Sequence, residues 1–150
     1  MTTTEHTFEV SGNAQISTTN LALGFPDPAG LTFKERKALN IAKGKFQRPS
    51  TTLENCYGKI LRVAGFIQHP ASVTDMVTGE VRDVTRTVFL LENGDCVSST
   101  SQAVDRYCQQ LLTDLGPLTL GMFEEPVSIS VLPQKTKRGQ TTYSLSMVED

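Results

Sequence analysis

Residues 58–148 carry the pattern that most constrains the fold: three strand-like runs, one amphipathic helix and a closing hairpin. The runs are Gly58–Gln68, Val81–Leu91 and Asp95–Ser99. They are rich in apolar and β-branched residues, which favour extended backbone. An order of three strands, a helix and two strands limits the chain to a few small β architectures.

Local signals support the elements that follow. Glu92–Asp95 contains Asn-Gly, the strongest short hairpin signal. A hairpin is predicted from Val127 to Val148, with its turn at Pro133–Gly139. A helix is predicted over about Ser101–Leu115, with a capping box at Ser99–Gln102. Its apolar stripe consists of Val104, Tyr107, Cys108, Leu111, Leu112 and Leu115.

This element order predicts a mainly β protein, a five-stranded OB-fold barrel with one helix between strands three and four and a second helix in an N-terminal extension. The helix between strands would plug the open end of the barrel. OB-folds bind single-stranded nucleic acid or oligosaccharide on one face and through two loops. The sequence therefore directs attention to that face and those loops.

The first barrel strand alternates around a central glycine. Gly65 is placed to permit a bend or bulge. Alternation predicts that Leu61, Val63 and Ile67 point inward and that Arg62, Ala64 and Phe66 point outward. The segment Gln68–Glu80 is expected to be a long loop.

The second barrel strand has two competing apolar sets. Val84, Val88 and Leu90 form one set, and Phe89 and Leu91 form the other. A bulge near residues 85–87 would reconcile them. Phe89 is thus either a core residue or a stacking platform, and the alternation alone leaves both open.

The remaining chain divides into an arm at residues 1–30, a basic helix with its linker at residues 31–55 and the barrel at residues 56–150. The arm has strand-like runs at Thr7–Val10 and Gln15–Thr18. Thr32–Glu35 forms a capping box that begins the basic helix. The arm is expected either to dock on a neighbouring subunit or to remain a floppy terminus.

Charge is unevenly distributed. The chain has a formal net charge of −2, which argues against a histone-like binder. Residues 31–48 nevertheless hold six basic residues against one acidic residue. Such a local concentration of positive charge can steer an anionic partner towards an acidic protein.

Sequence-independent binding of a single strand needs cations along the backbone and flat side chains for the bases. Phe66, and with less support Phe89, are the predicted stacking residues, with burial as the alternative. A cluster of three cations lies at the tip of the last hairpin, one of the loops that OB-folds use. The predicted backbone contacts are Lys59, Arg62, Arg82, Arg86, Lys135, Lys137 and Arg138, extended by Lys34, Arg36, Lys37, Lys43 and Lys45 of the basic helix.

No motif points to catalysis, a cofactor or a metal. Gly-x-Ser-x-Gly, Walker A and dinucleotide-binding glycine patterns are absent. His6 and His69 are isolated, and the three cysteines have no ligand spacing, so we expect reduced thiols. No apolar run reaches membrane-spanning length, and the first residues do not resemble a secretory signal. The expectation is a non-enzymatic, cytoplasmic protein.

Residues 78–95, followed by Ser98–Ser101, resemble the small single-stranded DNA-binding proteins of bacteriophages and conjugative plasmids. The resemblance covers roughly residues 56–148. It implies an OB-fold, sequence-independent binding and a role in replication, recombination or transfer of mobile DNA. Self-association is a separate expectation, in which residues 1–30 would link subunits along the strand.

The leading hypothesis is therefore a coat for single-stranded DNA, with single-stranded RNA as an untested further ligand. The alternative is a small β-barrel interaction or structural module of a phage or conjugation assembly. In that alternative, the arm and Phe66 would contact protein.

Overall fold

The computed structural model describes residues 6–10, 14–18, 25–47 and 51–150, and side chains only in the last two ranges. These parts are mainly β, with two helices and a short 3-10 turn at Leu53–Cys56. In chain order the elements are β1 His6–Val10, β2 Ala14–Thr18, α1 Phe33–Lys45, β3 Thr51–Thr52, β4 Lys59–Asp75, β5 Val81–Leu91, β6 Cys96–Ser99, α2 Gln102–Leu115, β7 Met122–Lys135 and β8 Thr141–Val148.

One curled sheet joins these strands. Its main path is β1-β2-β4-β5-β6-β3, and β7 branches from β4 and pairs with β8. The β3–β6 pair is parallel, and the other pairs are antiparallel. The predicted order of three strands, a helix and two strands is confirmed as β4-β5-β6-α2-β7-β8, and β1, β2 and β3 are additional strands.

A bulge at Gly65 overturns the predicted orientation of Phe66. The pairing of β4 with both β5 and β7 shifts between Val63 and Gly65, so the alternation of side chains changes phase there. Phe66 consequently packs in the same core as Val63 and is 3% exposed. The backbone N–H of Phe66 donates to the carbonyl of Gly121 over 2.9 Å, which holds the bulge against the segment before β7.

Strand β4 is longer than the sequence indicates. The segment Gln68–Glu80 was predicted to be a loop, but its residues up to Asp75 belong to β4. They pair with β5 on one side and with β2 on the other. Pro70 is tolerated because it lies between the stretch that β7 pairs and the stretch that β2 pairs. The predicted strand-like runs of the arm are confirmed as β1 and β2.

Strand β5 is buried on both faces, which explains its ambiguous pattern. Phe89 joins the core that α2 covers, whereas Val88 and Leu90 join a second core on the opposite face. The predicted bulge at residues 85–87 is wrong, because the β4–β5 register runs through them without a shift. Both apolar sets are therefore core residues.

Helix α2 closes the first core with Val104, Cys108 and Leu111, whereas Leu115 at the end of the predicted stripe is exposed. The N-cap is Ser101, whose hydroxyl accepts from the N–H of Ala103. The helix thus begins two residues later than the capping box at Ser99–Gln102 predicts. Gln68 ties β4 to the helix, because its amide donates to Asp105 over 2.9 Å and accepts from Gln109 over 2.7 Å.

Helix α1 is joined to the second core at its C-terminal end. The predicted capping box is confirmed, because Thr32 Oγ1 accepts from Glu35 N and Glu35 Oε1 accepts from Thr32 N. Phe46, at the end of α1, inserts between the outer side chains of β4, β5 and β6 and meets the ring of Phe25 edge-on at 6.0 Å. The thiol of Cys96 donates to the carbonyl of Lys45 over 2.8 Å. These contacts fix the end of α1 on the sheet.

The three cysteines, Cys56, Cys96 and Cys108, are buried and form no disulfide. No helix among the residues that the structure describes is both long and apolar enough to cross a bilayer.

Candidate nucleic-acid interface

The tip of the β7–β8 hairpin is an exposed cationic loop. Lys135, Lys137 and Arg138 are exposed, and the stretch from residue 134 to residue 142 contains no acidic residue. The N–H of Thr136 donates to the carbonyl of Gln140 over 2.7 Å, and the N–H of Gly139, at a φ of 79°, donates to the carbonyl of Thr136 over 2.9 Å, which closes the turn. The tip therefore presents fixed positive charge that no carboxylate of the loop neutralises.

An aromatic pair lies on the same face of this hairpin. The rings of Tyr57 and Tyr143 have centroids 5.3 Å apart at an interplanar angle of 30°, and both are half-buried. Tyr143 pairs with Pro133 across the hairpin, and Lys135 lies two residues further along β7. Since strand residues two apart share a face, the tyrosine pair and Lys135 point to the same side.

The environment of Tyr143 keeps its hydroxyl protonated. Burial and the neighbouring Tyr57 and Glu54 raise the pKa of Tyr143, against an opposing hydrogen bond with Ser99. Its phenol is therefore neutral at physiological pH, and the half-buried ring offers an uncharged surface to a base.

Lys59 adds a cation at the same end of the sheet. Lys59 is the first residue of β4 and pairs with Val131 of β7, and the N–H of Gly58 donates to the carbonyl of Val131 over 2.8 Å. Lys59 is exposed. The pairing thus brings Lys59 beside the tyrosine pair, on the route to the hairpin tip.

Arg62 is engaged within the protein. Its Nε donates to Glu92 over 2.9 Å, and its Nη1 contacts Asp150 and Ser128. Glu92 and Asp150 raise the pKa of Arg62 and hold the guanidinium. A phosphate at Arg62 would have to compete with two carboxylates.

The predicted outward placement of Phe66 is wrong, and Phe89, for which both positions were open, is a core residue. Phe66 and Phe89 pack against each other at 6.0 Å in the core beneath α2, and Phe123 covers the other side of Phe66 at 5.9 Å. Phe66 is buried because the bulge at Gly65 reverses the alternation of side chains in β4. Phe89 is buried because both faces of β5 are covered at this point. Base stacking on either ring would require it to leave the core.

Arg86 is also inside rather than on the surface. It is 6% exposed, and its Nη1 lies 3.3 Å from Nε2 of His69 on the paired strand. Burial lowers the pKa of His69, so Nε2 accepts from Arg86 while Nδ1 donates to the carbonyl of Pro70 over 3.2 Å. Arg86 is therefore not accessible for the predicted contact with the phosphate backbone of the nucleic acid, whereas Arg82 is exposed.

The cations of α1 form a separate group. Lys34, Arg36, Lys37 and Lys45 are exposed, and Lys43 is half-buried. The residue that follows this helix, Phe46, packs in the second core, and the tyrosine pair packs against the first core. The structure thus places the predicted cations in two main groups, the hairpin end and α1.

The aromatic pair is what the sequence interpretation missed. Tyr57 precedes the first predicted strand and Tyr143 lies in the returning strand of the predicted hairpin, so neither was predicted to contact nucleic acid. A usable signal was present, because Tyr143 faces Pro133 across the predicted hairpin and so shares the face of Lys135.

A curled β sheet with aromatic rings beside a cationic hairpin is typical of proteins that bind single-stranded nucleic acid. In agreement, the family model for phage single-stranded DNA-binding proteins of the Phi29 type matches residues 46–148, more than half of the chain. The chain belongs to this family, and membership supports binding of single-stranded DNA. No curated protein sequence and no solved structure matches the chain.

Proposed function

We propose that the protein coats single-stranded DNA without sequence preference and that the strand lies along the hairpin end of the sheet. The path consists of Lys59, the Tyr57–Tyr143 pair and the tip cations Lys135, Lys137 and Arg138. The observation that carries the proposal is the shared face of Tyr143 and Lys135, which puts a stacking surface next to a phosphate contact.

Non-specific binding follows from these side chains. A phosphate is the same at every nucleotide, and every base has a flat face that can stack on an aromatic ring. The proposed path consists of cations and aromatic rings, which contact phosphates and the faces of bases. We therefore expect similar affinity for different base compositions.

The curled sheet is proposed to be an OB-type barrel in which β4, β5, β6, β7 and β8 are the five barrel strands. The order of these strands around α2 supports this assignment. The β7–β8 hairpin then corresponds to the loop between strands four and five, where OB-folds bind ligands. A non-enzymatic role in replication, recombination or transfer of mobile DNA, in the cytoplasm, fits such a coat.

Tyrosine fluorescence provides a direct test of the path. The chain has three tyrosines and no tryptophan, so quenching on addition of an oligonucleotide reports on Tyr57, Tyr107 and Tyr143. Tyr143→Leu should weaken binding by about 1–3 kcal/mol, the range for loss of base stacking. Tyr107→Phe, beside the α2 core, is the matched control and should bind as the wild type does.

Two outcomes would contradict this proposal. One is wild-type affinity in both Tyr57→Leu and Tyr143→Leu, which would remove the stacking surface from the path. The other is the absence of binding to any single-stranded oligonucleotide at low salt. Competition with RNA of the same sequence separates DNA preference from general single-strand binding.

A further inference from the structure

We infer that a second surface of this protein joins copies of the chain head to tail. The exposed side of α1 in one copy receives the tip of the β4–β5 hairpin of the next copy. The contact itself does not depend on the proposed function. Its contribution to cooperative DNA coating does rest on that function.

The exposed stripe of α1 combines apolar and cationic side chains. Leu39 and Ala42 face the protein, so Phe33, Lys37 and Ile41, at intervals of four residues, lie on the opposite side. Phe33 is 82% exposed, and Ile41 is also exposed. Large apolar side chains on one helix face, bordered by cations, are typical of an interaction surface.

The β4–β5 hairpin tip is apolar, acidic and rigid. Met76, Val77 and Val81 are exposed, Val77 to 74%. Oδ1 of Asp75 accepts from the N–H of Val77 over 2.8 Å, and Gly79 N donates to the carbonyl of Asp75 over 2.7 Å. Because the turn is held by its own hydrogen bonds, little conformational entropy is lost when the tip docks.

The two surfaces are complementary in charge. The tip and its flanks carry Asp75, Glu80 and Asp83 against Arg82 alone. Helix α1 carries five basic residues against one acidic residue. Within one copy both apolar clusters are exposed, so neither covers the other. Contact between two copies would bury the apolar side chains of α1 against those of the hairpin tip. The basic residues around α1 would then face the acidic residues around the tip.

The contact uses different patches on the two copies. Such heterologous contacts repeat from copy to copy and build open chains rather than closed pairs. An open chain suits a protein that covers a linear polymer, because each bound copy recruits the next.

A second copy explains this stripe better than DNA does. Phosphate contacts would use the lysines and a base could stack on Phe33, but Ile41 has no flat face and would have no part in DNA binding. DNA contact by α1 would also leave the exposed Met76 and Val77 without a role. The apolar residues of both patches and their opposite charges fit protein–protein contact.

A charge-swap experiment tests the inference. One variant combines Lys34→Glu and Lys37→Glu, and the other combines Glu80→Lys and Asp83→Lys. Self-association is measured without DNA by sedimentation velocity at low salt. Each variant alone should lose association, by about tenfold or more in the dissociation constant, because like charges now meet. The equimolar mixture should associate, since each altered patch finds an opposite patch on the other variant.

A second pair of variants tests the apolar part without changing charge. Met76→Ser with Val77→Ser should weaken association by about tenfold. Ile60→Ser removes an exposed apolar side chain elsewhere on β4 and should have no effect. On long single strands, the tip variant should lose cooperativity yet keep wild-type affinity for an oligonucleotide that holds one copy.

The inference is overturned if the wild-type protein stays monomeric at all concentrations or if the mixture of charge variants fails to associate. It is also overturned if the α1 variant loses affinity for the short oligonucleotide while the tip variant behaves as the wild type, because α1 would then be a DNA contact. Sedimentation measures self-association without DNA. A failure of the DNA-binding proposal can therefore be told apart from a failure of this inference.

Discussion

At the scale of single residues, the backbone at Gly65 decides which side chains of β4 face the core. A β carbon at this position would lie 1.9 Å from the carbonyl oxygen of Gly121 and 2.8 Å from Cα of Met122. Only glycine allows this approach. The bulge that it permits then moves Phe66 from the outer face to the core.

We therefore expect Gly65→Ala to destabilise the protein by about 3 kcal/mol or more, because the backbone atoms opposite cannot move independently. Urea unfolding followed by circular dichroism measures this loss. Gly44→Ala is the matched control. It lies within α1 with nothing near the added methyl group, so we expect about 0.5–1 kcal/mol of added stability. Equal stability of the two variants would contradict the close approach at Gly65.

His69 gives a prediction about pH. Burial holds the pKa of His69 in the folded protein below its ordinary value, so the unfolded chain binds the proton more readily. The stabilisation is complete above about pH 6.5 and decreases as the pH falls towards the folded pKa. The free energy of unfolding should thus decrease between pH 8 and pH 5 more steeply in the wild type than in His69→Gln. Parallel curves for the two proteins would show that His69 titrates normally.

At the scale of elements, the sequence predicted the features that depend on residues close together in the chain. The stripe of α2, the Asn-Gly turn before β6 and the capping box of α1 are all confirmed, because each depends on residues close in sequence. The full length of β4 was not predicted, because its second half contains Pro70 and is held between β5 and β2, and β2 lies over fifty residues earlier in the chain. Likewise, β5 is buried on both faces only because Phe46 covers one of them.

The docking of α1 gives the element-scale prediction. Phe46→Ala removes the ring that fills the second core and should cost about 3–5 kcal/mol, the range for a buried phenylalanine. Hydrogen exchange should increase first in α1, whose end is held by Phe46 and by the bond from Cys96 to Lys45. Phe33→Ala, on the exposed face of the same helix, should leave exchange unchanged. Wild-type protection of α1 in Phe46→Ala would contradict the docking.

At the scale of the whole molecule, an acidic chain keeps its positive charge in two groups. One group lies at the hairpin end beside the tyrosine pair, and the other lies on α1 beside exposed apolar side chains. The sequence identified both groups of cations but could not assign them different partners. The proposed roles differ because the hairpin end holds the Tyr57–Tyr143 pair, whereas Phe33 and Ile41 on α1 match the exposed apolar tip of the β4–β5 hairpin in kind.

The salt dependence of DNA affinity tests the central claim most directly. A labelled oligonucleotide long enough for one copy is titrated at several salt concentrations with the wild type and with the variant Lys135→Ala, Lys137→Ala and Arg138→Ala. Each phosphate contact on a single strand contributes about 0.7 to the slope of log affinity against log salt. The variant should therefore bind more weakly, with a slope smaller by about 2. An unchanged slope, or no binding by the wild type at low salt, would contradict the account.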